Sequence, residues 1–163
     1  MIILGIDPGI AKIGFGVLKK PKTKSGKLKA LDSGCITTSP NLLAAERLKK
    51  IYNAVLKLIT KYKPGLLAIE NIYFFKNSKT AMGVSQAKGV ILLAAAKKKI
   101  PVCELAPLEV KMAISGYGRA DKKQIQKMVK LLLNLKKTFK SDDEADALGI
   151  AISGFLKTTF KKT

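Results

Sequence analysis

Apolar positions along the chain change their spacing several times, and each change marks an element. Ile2 to Ile6 is a short unbroken apolar run, which reads as a buried strand. Pro8-Gly9 turns the chain, and Ile13-Gly14-Phe15-Gly16-Val17-Leu18 reads as the second strand of a hairpin. A lysine-rich polar turn spans Lys19 to Lys29, and Leu31 to Thr37 returns as a third strand. Ser39-Pro40-Asn41 is a helix-start signal. Beyond it Leu48, Ile51, Tyr52, Val55, Leu58, Ile59 and Tyr62 recur at helical spacing, with lysines on the other face. Pro64-Gly65 ends that helix, and the fully apolar Leu66-Leu67-Ala68-Ile69 reads as a central strand. Thr80 to Lys99 is a second helix, rich in small residues, and Pro101 to Leu105 a fifth strand. A loop with Gly116 and Gly118 follows. Asp121 then caps a helix with Ile125, Met128, Val129 and Leu132 on one face. A last helix begins at Ser141, and the basic tail from Lys157 to Thr163 reads as frayed.

This order, a hairpin meander followed by βαβ crossovers, predicts an α/β fold: a five-stranded mixed sheet flanked by helices. No repeat or linker interrupts it, so residues 1–157 read as a single domain with a basic tail at 158–163. The 163 residues suit one domain, and a chain of that size buries about 70% of its unfolded surface. A hydrophobic fraction of 47% excludes a disordered chain. No apolar run reaches the roughly 18 residues needed to cross a bilayer. No basic residue precedes the first apolar run, as one would in a signal peptide. The expectation is a cytoplasmic protein with no membrane partner, in which Cys35 and Cys103 are buried thiols.

Charge changes the picture. There are 31 basic residues against 11 acidic, a net of +20, which points to a polyanion and first to nucleic acid. Arg47 and Arg119 are the only arginines, a lysine bias that base composition of the genome explains; it does not explain the net charge. An anionic membrane surface is the competing partner. With no histidine in the chain, metal or proton chemistry rests on carboxylates, thiols or lysines. Two distant cysteines do not make a zinc site.

The scarce acids are placed unevenly. Asp7 ends the first strand and Glu70 the central one, at the carboxyl edge where open α/β sheets hold ligands. Asp142, Asp143, Glu144 and Asp146 crowd the start of the last helix. Ser141 as N-cap with Glu144 reaching back as a capping box accounts for part of this, and the helix dipole favours acids in a first turn. Asp146 lies beyond that turn, and its i,i+3 spacing from Asp143 puts both on one helix face. If Asp7, Glu70, Asp143 and Asp146 converge, two unit charges 4 Å apart repel by about 4 kcal/mol at an effective dielectric near 20. Such a group shifts its pKa values or takes cations. Mg²⁺ and Mn²⁺ prefer oxygen ligands and suit phosphoryl chemistry. Separate structural roles for the four acids remain the alternative.

These residues carry a resemblance. Gly5-Ile6-Asp7-Pro8-Gly9 with Gly14 and Gly16, Ala68-Ile69-Glu70-Asn71, Gln86-Ala87-Lys88-Gly89-Val90 and Asp143-Glu144-Ala145-Asp146-Ala147-Leu148 resemble, in that order, the motifs of RuvC Holliday-junction resolvases. The likeness runs from about residue 2 to 153. It implies a ribonuclease-H-like fold and a homodimeric endonuclease that resolves four-way DNA junctions by two symmetric nicks. It implies dependence on Mg²⁺, or Mn²⁺, with about two ions per site, held by the catalytic acids Asp7, Glu70, Asp143 and Asp146. Tyr73 matches a family aromatic that stacks on unpaired junction bases, and Lys111 and Lys122 match basic DNA-contacting residues. Family members work beside the RuvA and RuvB branch-migration proteins, which the resemblance makes expected partners. Some relatives carry His where this chain has Asp143.

Tyr73-Phe74-Phe75 would alternate faces in an extended segment, so at least one ring is expected to meet solvent. The small-residue helix from Thr80 to Lys99 reads equally as a close-packed core helix or a dimer face. Two other classes compete: a DNA-junction-binding protein of the same fold that does not cut, and an actin-like or sugar-kinase ATPase. All four acids argue against the first. The second lacks its further phosphate loop and duplicated domain.

Overall fold

The structure is a computed structural model that describes residues 1–20, 27–72, 78–136 and 138–160. The elements run β1 (Ile2–Asp7), β2 (Lys12–Lys19), β3 (Lys29–Thr37), α1 (Ala44–Tyr62), β4 (Leu66–Glu70), α2 (Ser78–Lys97), β5 (Val102–Leu105), α3 (Pro107–Ser115), α4 (Lys122–Leu133) and α5 (Asp142–Phe160). The strands form one sheet in the order β3-β2-β1-β4-β5. β1, β2 and β3 pair antiparallel, while β4 runs parallel to β1 and β5 parallel to β4. This is the mixed five-stranded architecture expected from the sequence.

Alternation along the strands sorts side chains between two layers. Leu4, Ile6, Leu67 and Ile69 face α1 and α2, where they pack with Ile51, Val55, Ile59, Ala87 and Ile91. Ile3, Leu66, Ala68 and Leu105 face the other way, toward Val110, Ile114, Ile125, Val129 and Leu148 from α3, α4 and α5. By the same alternation Asp7 and Glu70 point to the α5 side.

Several boundaries differ from expectation. α1 begins after the Ser39-Pro40-Asn41 signal: Ser39 Oγ accepts from the Asn41 N–H at 3.2 Å in a local turn, and Glu46 Oε2 takes the Leu43 N–H at 3.0 Å where the helix starts. α3 occupies much of what reads as loop. Pro107 opens it, Glu109 Oε2 accepts from the Ala106 N–H at 2.7 Å, and Gly116 closes it at φ 69°. In α4 the buried positions are Ile125, Val129 and Leu133, whereas Leu132 is exposed. The last helix does not fray at Lys157. It continues to Phe160, and Lys157 Nζ donates to Glu109 Oε1 at 2.8 Å and to the Glu104 carbonyl at 3.2 Å. Both thiols are free; Cys103 is buried in β5, but Cys35 is only half-buried, its Sγ 2.9 Å from Ser141 Oγ.

Candidate active site

The position of α5 begins with missing side chains. A Cβ on Gly14 would lie 2.0 Å from the Asp143 carbonyl oxygen, and one on Gly5 2.3 Å from that of Ala147. The helix therefore rests directly on β1 and β2, with Ala147 and Ala151 fully buried beneath it. Asp7 pairs with Gly14 across the hairpin, so the same notch that admits the Asp143 backbone lies beside the Asp7 side chain. Ile6 pairs with Ile69 in parallel, which puts Glu70 next to Asp7 at the carboxyl edge of the sheet.

The start of α5 is pinned on its far side. Glu144 is buried; its carboxylate accepts from Ser33 Oγ at 2.7 Å and from the Lys140 N–H at 2.7 Å. Ser141 Oγ accepts from the Glu144 N–H at 3.4 Å. The capping serine is as expected, but Glu144 reaches one residue further back than a capping box requires and holds β3 as well. Its role is structural.

Electrostatics ties the four acids together. Burial, then the charges of Glu70, Asp146 and Asp143, push the Asp7 carboxyl up to about 7, against the opposing Lys122 ammonium. Burial and Asp146 push Glu70 up to about 7, against Lys111. Burial raises Asp146 too, with Lys122 opposing. Asp142, by contrast, is held below the usual range by hydrogen bonds from Gln126 and Lys122. Two lysines sit on the acids of α5. Lys12 Nζ lies 2.6 Å from Asp143 Oδ2, and Lys122 Nζ lies 3.4 Å from Asp146 Oδ2 and 3.2 Å from Asp142 Oδ2. No hydrogen bond or ion pair to a described residue neutralises Asp7 or Glu70.

A cleft of about 320 Å³ opens here, lined by Glu70, Lys111, Ala120, Asp121, Lys122 and Asp146 among others. It thus contains both lysines singled out in the sequence and two of the four acids. Among the described residues no three side chains of ligating type are already gathered closely enough to hold an ion. The donor chemistry nevertheless fits divalent cations: four carboxylates linked by mutual repulsion through Asp7, two half-buried with no cationic partner in contact, and two held by lysines. Tyr73 and its aromatic neighbours Phe74 and Phe75 lie outside the described residues.

Lys12 was not apparent from the sequence. Its signal is register: residues 12, 14 and 16 share a face of β2, so a residue two before Gly14 must meet the start of α5. Lys88 belongs to a motif that carries the resemblance, but its role is visible only in the structure. Its side chain is only 13% exposed, and its ammonium donates to Glu104 Oε2 and, at 2.7 Å, to Oδ1 of Asn71, the residue after Glu70. It couples α2 to the strand that ends in Glu70.

Residues 3–154 match the family model described as crossover junction endodeoxyribonuclease RuvC. A protein of that name from Alkaliphilus metalliredigens is 48% identical over 165 residues, covering 99% of each chain. Thermus thermophilus RuvC in complex with Holliday junction substrate superimposes with a TM-score of 0.92 at 33% identity, over 99% of this chain and 96% of that one. The yeast mitochondrial Holliday junction resolvase, 15% identical, superimposes with a TM-score of 0.67 over 98% of this chain and 82% of that one, and so shares the fold. These likenesses bear out the ribonuclease-H-like architecture.

Proposed function

The chain belongs to the RuvC family, and from that premise we propose that it is a crossover junction endodeoxyribonuclease that resolves four-way DNA junctions with two symmetric nicks. The single observation behind this reading is the convergence of Asp7 and Glu70, from two adjacent strand ends, on the start of α5 with its Asp143 and Asp146.

Asp7, Glu70, Asp143 and Asp146 are the residues that would hold Mg²⁺ or Mn²⁺, two ions per site. When bound, such ions supply the positive charge that activates a water molecule and stabilises the leaving oxygen. The chain's own groups do the rest. The sheet edge and the Gly14 notch hold the carboxylates in place before DNA arrives. Lys111 and Lys122, on the walls of the cleft, steady the scissile phosphate and the charge that develops on it. Lys12, which lies 2.6 Å from Asp143 Oδ2, would be available as a further phosphate contact if Asp143 held a cation. Lysines elsewhere grip the backbone without reading sequence, so affinity is expected to fall by about 10³–10⁵ between 50 and 200 mM salt if 6–10 phosphates are neutralised. Tyr73 is assigned to stacking on an unpaired base on the family resemblance alone.

Paired nicks call for two sites. An exposed stripe along α2, made of Met82, Gln86, Gly89 and Leu93, supports a second copy of the chain as its partner. A Cβ on Gly89 would meet nothing within 4 Å, so the stripe leaves room for close helix approach. Sedimentation in dilute solution tests this; a monomer at all concentrations refutes it. Residues 1–157 are read as one nuclease domain acting in the cytoplasm beside RuvA and RuvB. Among the described residues no helix is long and apolar enough to cross a membrane.

The deciding experiment is a nicking assay on a synthetic four-way junction, with and without Mg²⁺ or Mn²⁺. Two symmetric, metal-dependent nicks are expected. Tight junction binding without any cut, with either metal, would favour the non-cleaving alternative.

A further inference from the structure

The chain has arginine at positions 47 and 119 and lysine at every other basic position. Arg47 serves the fold. Its Nε donates to Thr38 Oγ1 at 2.9 Å, and that hydroxyl donates to the Ile10 carbonyl at 2.5 Å. Arg119 has no such anchor. It is exposed and makes no hydrogen bond or ion pair to any described residue.

Arg119 belongs to a tight turn, Tyr117–Ala120, closed by the Ala120 N–H donating to the Tyr117 carbonyl at 3.2 Å. The turn is fastened to α3 in two places. Ser115 Oγ accepts from the Tyr117 N–H at 3.2 Å and lies 2.8 Å from the Lys111 carbonyl and 2.9 Å from that of Tyr117. Gly118 sits so closely over Leu108 that a Cβ there would fall 2.5 Å from Leu108 Cδ1. On either side the turn runs into the cleft, since Lys111 before it, Ala120 at its end, and Asp121 and Lys122 after it are lining residues together with Glu70 and Asp146. A fixed rim of the catalytic cleft therefore carries an unpartnered guanidinium and a tyrosine that is 57% exposed.

We propose that Tyr117 and Arg119 select the nucleotides bordering the phosphodiester that is cut. The proposal rests on the nuclease reading above. A phosphate contact needs only positive charge, which lysine supplies all over this surface. A guanidinium adds a planar fork of donors that matches guanine O6 and N7, and an ammonium does not. A tyrosine ring offers a flat face to a base or sugar. Together on a rigid turn beside the carboxylates, they are placed to favour some sequences at the cut over others.

The test is a panel of synthetic junctions that differ only in the base pairs at the exchange point, cut with metal present. Wild type is compared with Arg119→Lys, Tyr117→Ala and Tyr117→Phe. Wild type is expected to rank the panel over at least about tenfold in rate. Arg119→Lys and Tyr117→Ala are expected to flatten that ranking, while junction binding at fixed salt stays within about threefold. Tyr117→Phe keeps the ranking. A uniform loss of rate with the ranking unchanged overturns the proposal, because a folding defect or a lost phosphate contact would do the same. Equal cutting of the whole panel by wild type also overturns it. Failure of wild type to cut any junction overturns the nuclease reading instead.

Discussion

α1 and α5 are each 19 residues long, and each covers one face of the same sheet. They meet it differently. α1 presents Ile51, Val55 and Ile59, and with α2 it stands off by the length of branched side chains that fill the gap. α5 presents Ala147 and Ala151 to Gly5 and Gly14 and touches strand backbone directly. The α1 face is an ordinary interdigitated core whose stability comes from apolar area. The α5 face gives up that area, and what it gains is the nearness of Asp143 and Asp146 to Asp7. Closeness of elements, rather than volume of side chains, is what distinguishes the face that carries the four acids.

The comparison can be broken most severely at Asp7. Asp7→Asn is expected to reduce cutting by about 10²-fold or more, while junction binding survives, measured by nicking and gel shift on the same preparation. Gly14→Ala comes next. Its Cβ must displace the Asp143 backbone, so overpacking is expected to cost about 1–3 kcal/mol or more. The loss of cutting should exceed anything explained by the fraction unfolded.

A third prediction concerns pH in metal-free protein. Asp7 and Glu70 titrate near about 7 when folded, against ordinary values of 3.8 and 4.5. The folded chain therefore holds protons that the unfolded chain has already released. Stability falls as pH rises from about 4 through 7 and is lowest above that window. At about 1.4 kcal/mol per pKa unit, each of the two groups accounts for a loss on the order of a few kcal/mol. Thermal melts at pH 5 and pH 8 should show it, Asp7→Asn should remove a large part of it, and Mg²⁺ or Mn²⁺ should reverse it. A flat profile would mean that neither burial nor mutual repulsion raises these two acids.

The mildest effect on chemistry belongs to the other face. Ile51→Ala is expected to cost about 2–5 kcal/mol of stability, yet cutting per folded molecule should stay within about twofold. Should Ile51→Ala and Gly14→Ala impair cutting equally, the division of labour between the faces is wrong.

The sheet was legible in the sequence because its strands are short apolar runs cut off by Pro-Gly or charged residues, and α1 because its apolar stripe is regular. α3 was hidden. Leu108, Val110, Met112 and Ile114 alternate like a strand, while only Val110 and Ile114 are buried. Its marks are at the ends, in Pro107, Glu109 and Gly116. The four acids could be named from motif order and strand ends, and Lys122 from the resemblance, but Lys12 could not. An ion pair between Lys12 and Asp143 depends on which face of β2 meets α5, and that becomes visible only once Gly14 is seen to contact the Asp143 backbone. The role of Lys88 escaped for a related reason: its partners, Asn71 just past the end of β4 and Glu104 on β5, come together under α2 only through the sheet order.

The notch at Gly14 has a mechanical consequence. Main chain pressed against main chain is nearly incompressible, and it has no rotamers to exchange. The spacing between the sheet edge and the first turn of α5 is accordingly a hard stop, and adjustment to an incoming strand falls to the short torsions of the aspartates themselves. A scaffold of this kind keeps its jaws at a constant gauge and lets only the fingertips move.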